Sequence, residues 1–237
     1  MTPSRSARTW STAPTPPNRR RARWPCSSPT FADELPGLIL ASASPQRRAI
    51  LERLGVKFTV RVPGVTELDA GPPAEVAVEN AYRKAAAVAE HEPGGTVLAV
   101  DTVVALGARL YGKPRDRDDA GETLAALAGR RHAVIGGVCL IEDGRTRTLA
   151  ATTEVQFRPL ATEEIDCYLD TGEWQGRAGA YAIQERGALL ISAIAGDYLN
   201  VVGLPVAAIM ELSPGLLTGR SATRRHSPQF PPHSSSP

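Results

Sequence analysis

Asp143-Gly144 falls between two stretches of extended pattern, residues 132–141 and 146–157. An Asp-Gly pair enters the positive-φ positions of a two-residue turn at low cost, so these stretches are expected to pair as an antiparallel hairpin. The earlier apolar runs are connected differently. Residues 38–41 and 96–100 read as short buried strands and 57–62 as a third, with helical patterns between them. Strands joined through helices run parallel, because a parallel partner needs a long crossover. A chain with both kinds of connection builds an α/β fold on a mixed sheet flanked by helices.

The helices are read from caps and spacing. Ser44 is a candidate N-cap with Pro45 at the first helical position; Ile50, Leu51 and Leu54 give an apolar side, and Gly55 ends the segment. Over 73–90 the expected buried stripe is Val78, Ala81, Tyr82, Ala85, Val88 and Ala89, and Glu79, Asn80, Arg83 and Lys84 fall off it. A turn at 112–114 leads to a helix with Ala120, Leu124 and Leu127 inside, closing at Gly129. Thr162 is expected to cap a helix carrying Ile165, Tyr168 and Leu169, ended by Gly172. Residues 188–194 read as a strand, and Pro205 opens a last helix.

Composition removes several functions. With 237 residues and a net charge of +2, the chain has room for a real core and lacks the charge of a dedicated nucleic-acid binder. No apolar run approaches the roughly 18 residues of a membrane helix. The three cysteines (Cys26, Cys139, Cys167) lack metal spacing and suit a reducing cytoplasm, and the four histidines form no ligand pair. Only three of the 27 basic residues are lysine: Lys57, Lys84 and Lys113. In so arginine-biased a chain, a lysine marks a place where a planar fork does not serve. Residues 1–36, rich in Arg, Pro, Ser and Thr, are expected to be a disordered extension, or to reflect a start codon placed too far upstream. The folded part is expected over 37–212 and a disordered tail over 213–237.

Four segments could carry chemistry. In "SASPQRR" a helix N-terminus with unpaired N–H groups meets two hydroxyls and two guanidinium groups, which suits a polyphosphate; the alternative is an ordinary capped helix with exposed arginines. In "AVDTVV", Asp101 follows a buried strand, where α/β proteins place ligands and metals; the alternative is a turn cap. In "YGKP", Lys113 sits on a tight turn, either reaching a phosphate or simply exposed. In "GRAGAYAIQERG", small residues crowd Tyr181 and Gln184, whose amide suits a base edge if it is not merely a surface side chain. Lys84, on the polar side of its helix, reads by itself as solvated, and Glu67 as a lone loop acid. The chain has no P-loop, nucleophile elbow, zinc-binding HExxH or paired-Cys site.

Seven blocks in order, "LILASASPQRR", "GVTELD", "ENAYRKAAAVA", "AVDTVV", "GKPRDRDDA", "AGAYAIQERGA" and "GDYLNVVGLP", resemble the Maf family of septum-formation-inhibitor-like nucleotide pyrophosphatases. The resemblance covers residues 38–212. It implies a two-lobed, ITPase-like α/β fold with a central cleft. The activity implied is cytoplasmic and metal-dependent, cleaving a nucleoside triphosphate to monophosphate and diphosphate and limiting incorporation of modified nucleotides. It also implies Mg²⁺ or Mn²⁺ as cofactor, a homodimer, and a link to cell-division arrest. By the same resemblance Asp101 would accept the proton, and Ser42, Ser44, Arg47, Lys84 and Lys113 would line the phosphates. Glu67 and Asp101 would hold the metal. Gln46, Thr102 and Gln184 fall at the positions that sort the family's branches. Thr102 and Gln184 look like the dTTP/UTP branch. Gln46 departs from it, because that branch usually has arginine there and the 7-methyl-GTP branch tryptophan. The leading expectation is therefore a dTTP/UTP-type pyrophosphatase. The alternatives are the same chemistry on 7-methyl-GTP or another modified nucleotide, and a non-catalytic nucleotide-binding regulator of septum formation.

Overall fold

A computed structural model describes residues 37–218; the 1–36 leader and the tail from 219 lie outside the described residues. Strand β1 (Leu38–Ala41) leads to helix α1 (Pro45–Arg53) and β2 (Phe58–Arg61). Helix α2 (Pro73–Ala89) precedes β3 (Thr96–Leu106), which turns into the short β4 (Arg109–Tyr111). After α3 (Arg117–Leu127) come the hairpin strands β5 (Arg131–Glu142) and β6 (Arg145–Phe157), then α4 (Thr162–Leu169). Two 3₁₀ turns, Ala178–Ala180 and Arg186–Leu190, lead to β7 (Ile191–Ala195), α5 (Tyr198–Val202) and α6 (Val206–Leu212).

The seven strands form one sheet in the order β2-β1-β3-β5-β6-β7, with β4 paired to β3. β2, β1 and β3 run parallel, and every later pairing is antiparallel. The mixed α/β sheet expected from the two connection types is thus present. Its hairpin turn has Asp143 at φ 52° and Gly144 at φ 71°.

Three long strands are shared by two packed regions. Around the start of β3 and the end of β5, one sheet face packs Leu40, Leu98 and Leu140 against Leu51 and Ile209. The opposite face packs Ile39, Val97, Ala99 and Cys139 against Ala81, Ala85 and Val88 of α2. At the other end of these strands, Val104, Val134 and Phe157 pack with Leu124, Leu127, Leu169 and Leu190. The chain continues past α6 into a turn whose Leu216 and Leu217 pack against the first region.

Several local expectations are corrected. The buried stripe of α2 is Val76, Ala77, Asn80, Ala81, Lys84, Ala85 and Val88, so Tyr82 faces water and two polar residues face the sheet. Leu54 is exposed, because α1 ends before it. Thr162 is the first residue of α4 and not its cap; Glu164 reaches back to accept from the Ala161 N–H at 2.9 Å. The strand expected from 188 begins at Ile191, after a 3₁₀ turn. Helix α5 has no counterpart in the sequence reading. Its buried Asn200 donates from Nδ2 to Val134 O, Ala151 O and Thr153 Oγ1 at 3.0–3.2 Å, bracing α5 on the sheet.

The second region holds a buried histidine. The His132 ring stacks edge-on against Phe157 and Tyr181, with centroids 4.9 and 5.6 Å away, and its Nε2 lies 2.9 Å from the Tyr181 hydroxyl. Burial pushes its pKa down from 6.5 to about 4, opposed by the Arg130 backbone. The folded state therefore favours the neutral ring. That contribution is complete above pH 6.5 and is lost as pH falls through about 4. Urea unfolding of the wild type and of His132→Gln at pH 7 and pH 4 is expected to show their stability difference shrinking by about 3 kcal/mol. A difference that does not change with pH would refute this.

Candidate active site

The end of β1 and the start of α1 build one wall of a cleft. Ser44 caps α1 by accepting from the Arg47 N–H at 3.5 Å, and Pro45 follows at the first helical position. The Ser44 hydroxyl also donates to Gln46 Oε1 at 3.1 Å, while Ser42 Oγ accepts from the Ser44 N–H at 3.1 Å. Arg47 is held at all three of its donor nitrogens. Nε donates to Gly203 O at 2.9 Å, Nη1 to Ser42 Oγ at 3.1 Å and Nη2 to Thr102 Oγ1 at 3.1 Å. This ties together the end of β1, the middle of β3 and the turn after α5. Burial lowers the Arg47 pKa, opposed by the carboxylates of Asp101 and Glu67. Arg48, one helical step on, points outward and pairs with Glu52 at 2.7 Å in solvent. The adjacent arginines thus have separate environments.

Asp101 lies in the middle of β3, not at a strand end. Alternation along the strand puts its side chain on the face of Val97 and Ala99, toward α2. There Lys84 Nζ lies 2.5 Å from Asp101 Oδ1 and 2.5 Å from Glu67 Oε1. Lys84 and Asp101 are each about 8% exposed at the side chain, so the solvated lysine expected from the helix pattern is a buried ion-pair partner. It is buried because the lost hydration is replaced by two carboxylates. Asn80, one turn earlier on α2, donates to Asp101 Oδ2 at 3.2 Å. The same side chain clamps the loop beyond Glu67, accepting from the Leu68 N–H at 2.7 Å and donating to Leu68 O at 3.0 Å.

The cleft, about 590 Å³, has the size of a small-molecule site. All ten residues singled out in the sequence line it: Ser42, Ser44, Gln46, Arg47, Glu67, Lys84, Asp101, Thr102, Lys113 and Gln184. Lys113 and Gln184 come from the opposite wall, built by the turn after β4 and the segment between the two 3₁₀ turns. Among the lining residues not singled out are Asn80 and Arg177. Asn80 and Lys84 are four apart and share a face with Ala77, Ala81 and Val88, a spacing that was visible in the sequence.

Among the described residues no three His, Cys, Asp or Glu side chains gather as a metal site. Glu67 and Asp101 nevertheless converge on a single ammonium. Two carboxylates open to a cleft, completed by a ligand's own oxygens, are a donor set that suits a hard divalent cation. Among the same residues no helix is long and apolar enough to cross a membrane.

The family model described as Maf-like protein matches residues 37–214. The chain belongs to the Maf family. Three curated relatives of this Maf chain, all named dTTP/UTP pyrophosphatase, are similar over about three quarters of its length. The protein from Symbiobacterium thermophilum is 45% identical over 177 residues, 74% of this chain and 91% of its own. That from Myxococcus xanthus is 47% identical over 178 residues, 74% of this chain and 90% of its own. That from Thermococcus gammatolerans is 46% identical over 175 residues, 74% of this chain and 94% of its own.

Proposed function

We propose that this Maf protein hydrolyses nucleoside triphosphates to the monophosphate and diphosphate, with dTTP and UTP as preferred substrates. The observation that carries this reading is the Asp101–Lys84–Glu67 cluster set beside the braced Arg47 in one cleft. The names of the relatives support the same substrates. A triphosphate brings several negative charges, and Arg47, Lys84 and Lys113 line the cleft that would receive them. Ser42, whose hydroxyl proton is uncommitted, adds a donor at the α1 N-terminus, whose partial positive charge favours phosphate; Ser44 lines the same corner with its proton given to Gln46.

In this reading Asp101 takes the proton from a water whose oxygen bonds to the α-phosphorus. The bond from that phosphorus to the oxygen bridging to the β-phosphate breaks, and diphosphate leaves. Asn80 and Lys84 fix the carboxylate in place before substrate arrives, so no reorganisation is required during the step. A divalent cation, Mg²⁺ or Mn²⁺, would be held by Glu67 and Asp101 and would supply charge neutralisation at the phosphate oxygens. Thr102, Gln46 and Gln184 would sort the bases. The Gln46 amide oxygen accepts from Ser44, which leaves its NH₂ group as the donor offered to the cleft. Because an uncharged amide stands there, a modified triphosphate is kept as a second reading of the same chemistry. A diphosphate-release assay over canonical and modified triphosphates, with Mg²⁺ or Mn²⁺, tests both. The highest kcat/KM is expected with dTTP and UTP; no release from any triphosphate would overturn the assignment to an enzyme.

A further inference from the structure

The far wall of the cleft carries a cation that the reading above leaves without a task. Arg177 lines the cleft half-buried, and its Nε is buried without a hydrogen-bond partner. That Nε is sealed from the cleft, so a ligand there would be met by the two terminal amino groups, which are not buried and have no hydrogen-bond partner among the described residues. No ion pair of Arg177 forms among the described residues. Glu173, four residues upstream, is committed to the backbone N–H groups of Arg186 and Gly187 at 3.3 and 3.2 Å.

The backbone around Arg177 is held firmly. Arg177 N–H donates to Trp174 O and Ala180 N–H to Arg177 O, both at 3.1 Å. Gly179 and Ala180 follow at φ 71° and 61°, and Ala180 is fully buried in that left-handed conformation. An alanine persists there only when its surroundings over-determine it. The Gly179 N–H donates to Gly112 O at 3.1 Å, which joins this turn to the one bearing Lys113. Two cations therefore share one wall. On the opposite wall Lys84 and Arg47 have protein partners, and on this wall neither the Lys113 ammonium nor the Arg177 guanidinium has one among the described residues.

We propose that Arg177 is a substrate-binding residue that grips the phosphate chain from the far wall, beside Lys113. The guanidinium fork matches phosphate oxygens, and two cations facing Arg47 and Lys84 enclose the chain from both sides. This inference rests on the triphosphate reading. The experiment uses inorganic tripolyphosphate, which has phosphates but no base. Calorimetric binding of tripolyphosphate with Mg²⁺ and steady-state hydrolysis of dTTP are measured for the wild type, Arg177→Gln and Arg177→Lys. Arg177→Gln is expected to weaken tripolyphosphate binding and raise KM for dTTP by a similar factor, about tenfold, with an unchanged unfolding midpoint; Arg177→Lys recovers part of both. Tripolyphosphate binding within twofold of wild type in Arg177→Gln overturns the proposal. So does a loss that Arg177→Lys does not relieve and that tracks a lower unfolding midpoint. Because binding needs no turnover, a wild type that binds tripolyphosphate but hydrolyses nothing sinks the enzymatic reading alone.

Discussion

Replacing Asp101 with asparagine is expected to lower kcat for dTTP by about 10²–10⁴-fold, the range that a positioned general base contributes. KM is expected to change far less. The substitution keeps size and shape but removes the ability to take a proton. The protein is expected to fold, because Lys84 retains Glu67 at 2.5 Å and is not left as an unpaired buried charge. Some stability is lost, because an asparagine cannot satisfy both neighbours. If its oxygen faces Lys84, its NH₂ faces the Asn80 NH₂ that now donates to Oδ2 at 3.2 Å. One unsatisfied donor costs about 1–3 kcal/mol. Diphosphate release, calorimetric nucleotide binding and urea unfolding of the same variant separate these effects. Turnover near the wild-type rate would remove Asp101 from the proposed role.

The cleft's composition was legible from local signals and its wiring was not. Leu38–Ala41 is a short apolar run bounded by two serines, and Ser44-Pro45 is a cap followed by a proline, so both the strand and the helix start could be read locally. The Asp143-Gly144 reversal was equally local. Lys84 defeated that kind of reading. Stripe assignment by apolarity places lysine outward, and only two carboxylates distant in sequence, Glu67 and Asp101, make its burial tolerable. Asn80 was misread for the same reason, since its partners are Leu68 and Asp101. A helical step of about 100° sends Arg47 and Arg48 in different directions, but the identity of Arg47's acceptors, Gly203 O and Thr102 Oγ1, depends on tertiary packing. Arg177 carried no signal, because an arginine among many is marked as unusual only by a missing partner in three dimensions.

Gly137→Ala is expected to damage stability and activity together, although residue 137 touches no proposed ligand. Gly137 stands directly opposite Asp101 in the pairing of β3 with β5. A Cβ there would lie 2.1 Å from Ala77 O, 2.2 Å from Ala77 C and 2.5 Å from Val78 N, all backbone of α2. No rotamer change relieves a clash with helix backbone, so α2 must lift, and it carries Asn80 and Lys84 away from Asp101. Gly136, opposite Thr102, plays the matching part on the other face, where a Cβ would fall 2.1 Å from Asn200 Oδ1. The neighbouring glycines let a layer close in on each face of β3 where Asp101 and Thr102 point in opposite directions. Gly137→Ala is expected to cost about 3 kcal/mol, the upper end of ordinary overpacking, and to lower kcat/KM at least tenfold in the fraction that folds. Gly37→Ala, whose Cβ would meet nothing within 4 Å, serves as the control and is expected to leave both unchanged. If Gly137→Ala unfolded at the wild-type urea midpoint, α2 could not be seated on β5 at this distance, and the buried Lys84–Asp101 contact that depends on that seating would lose its support.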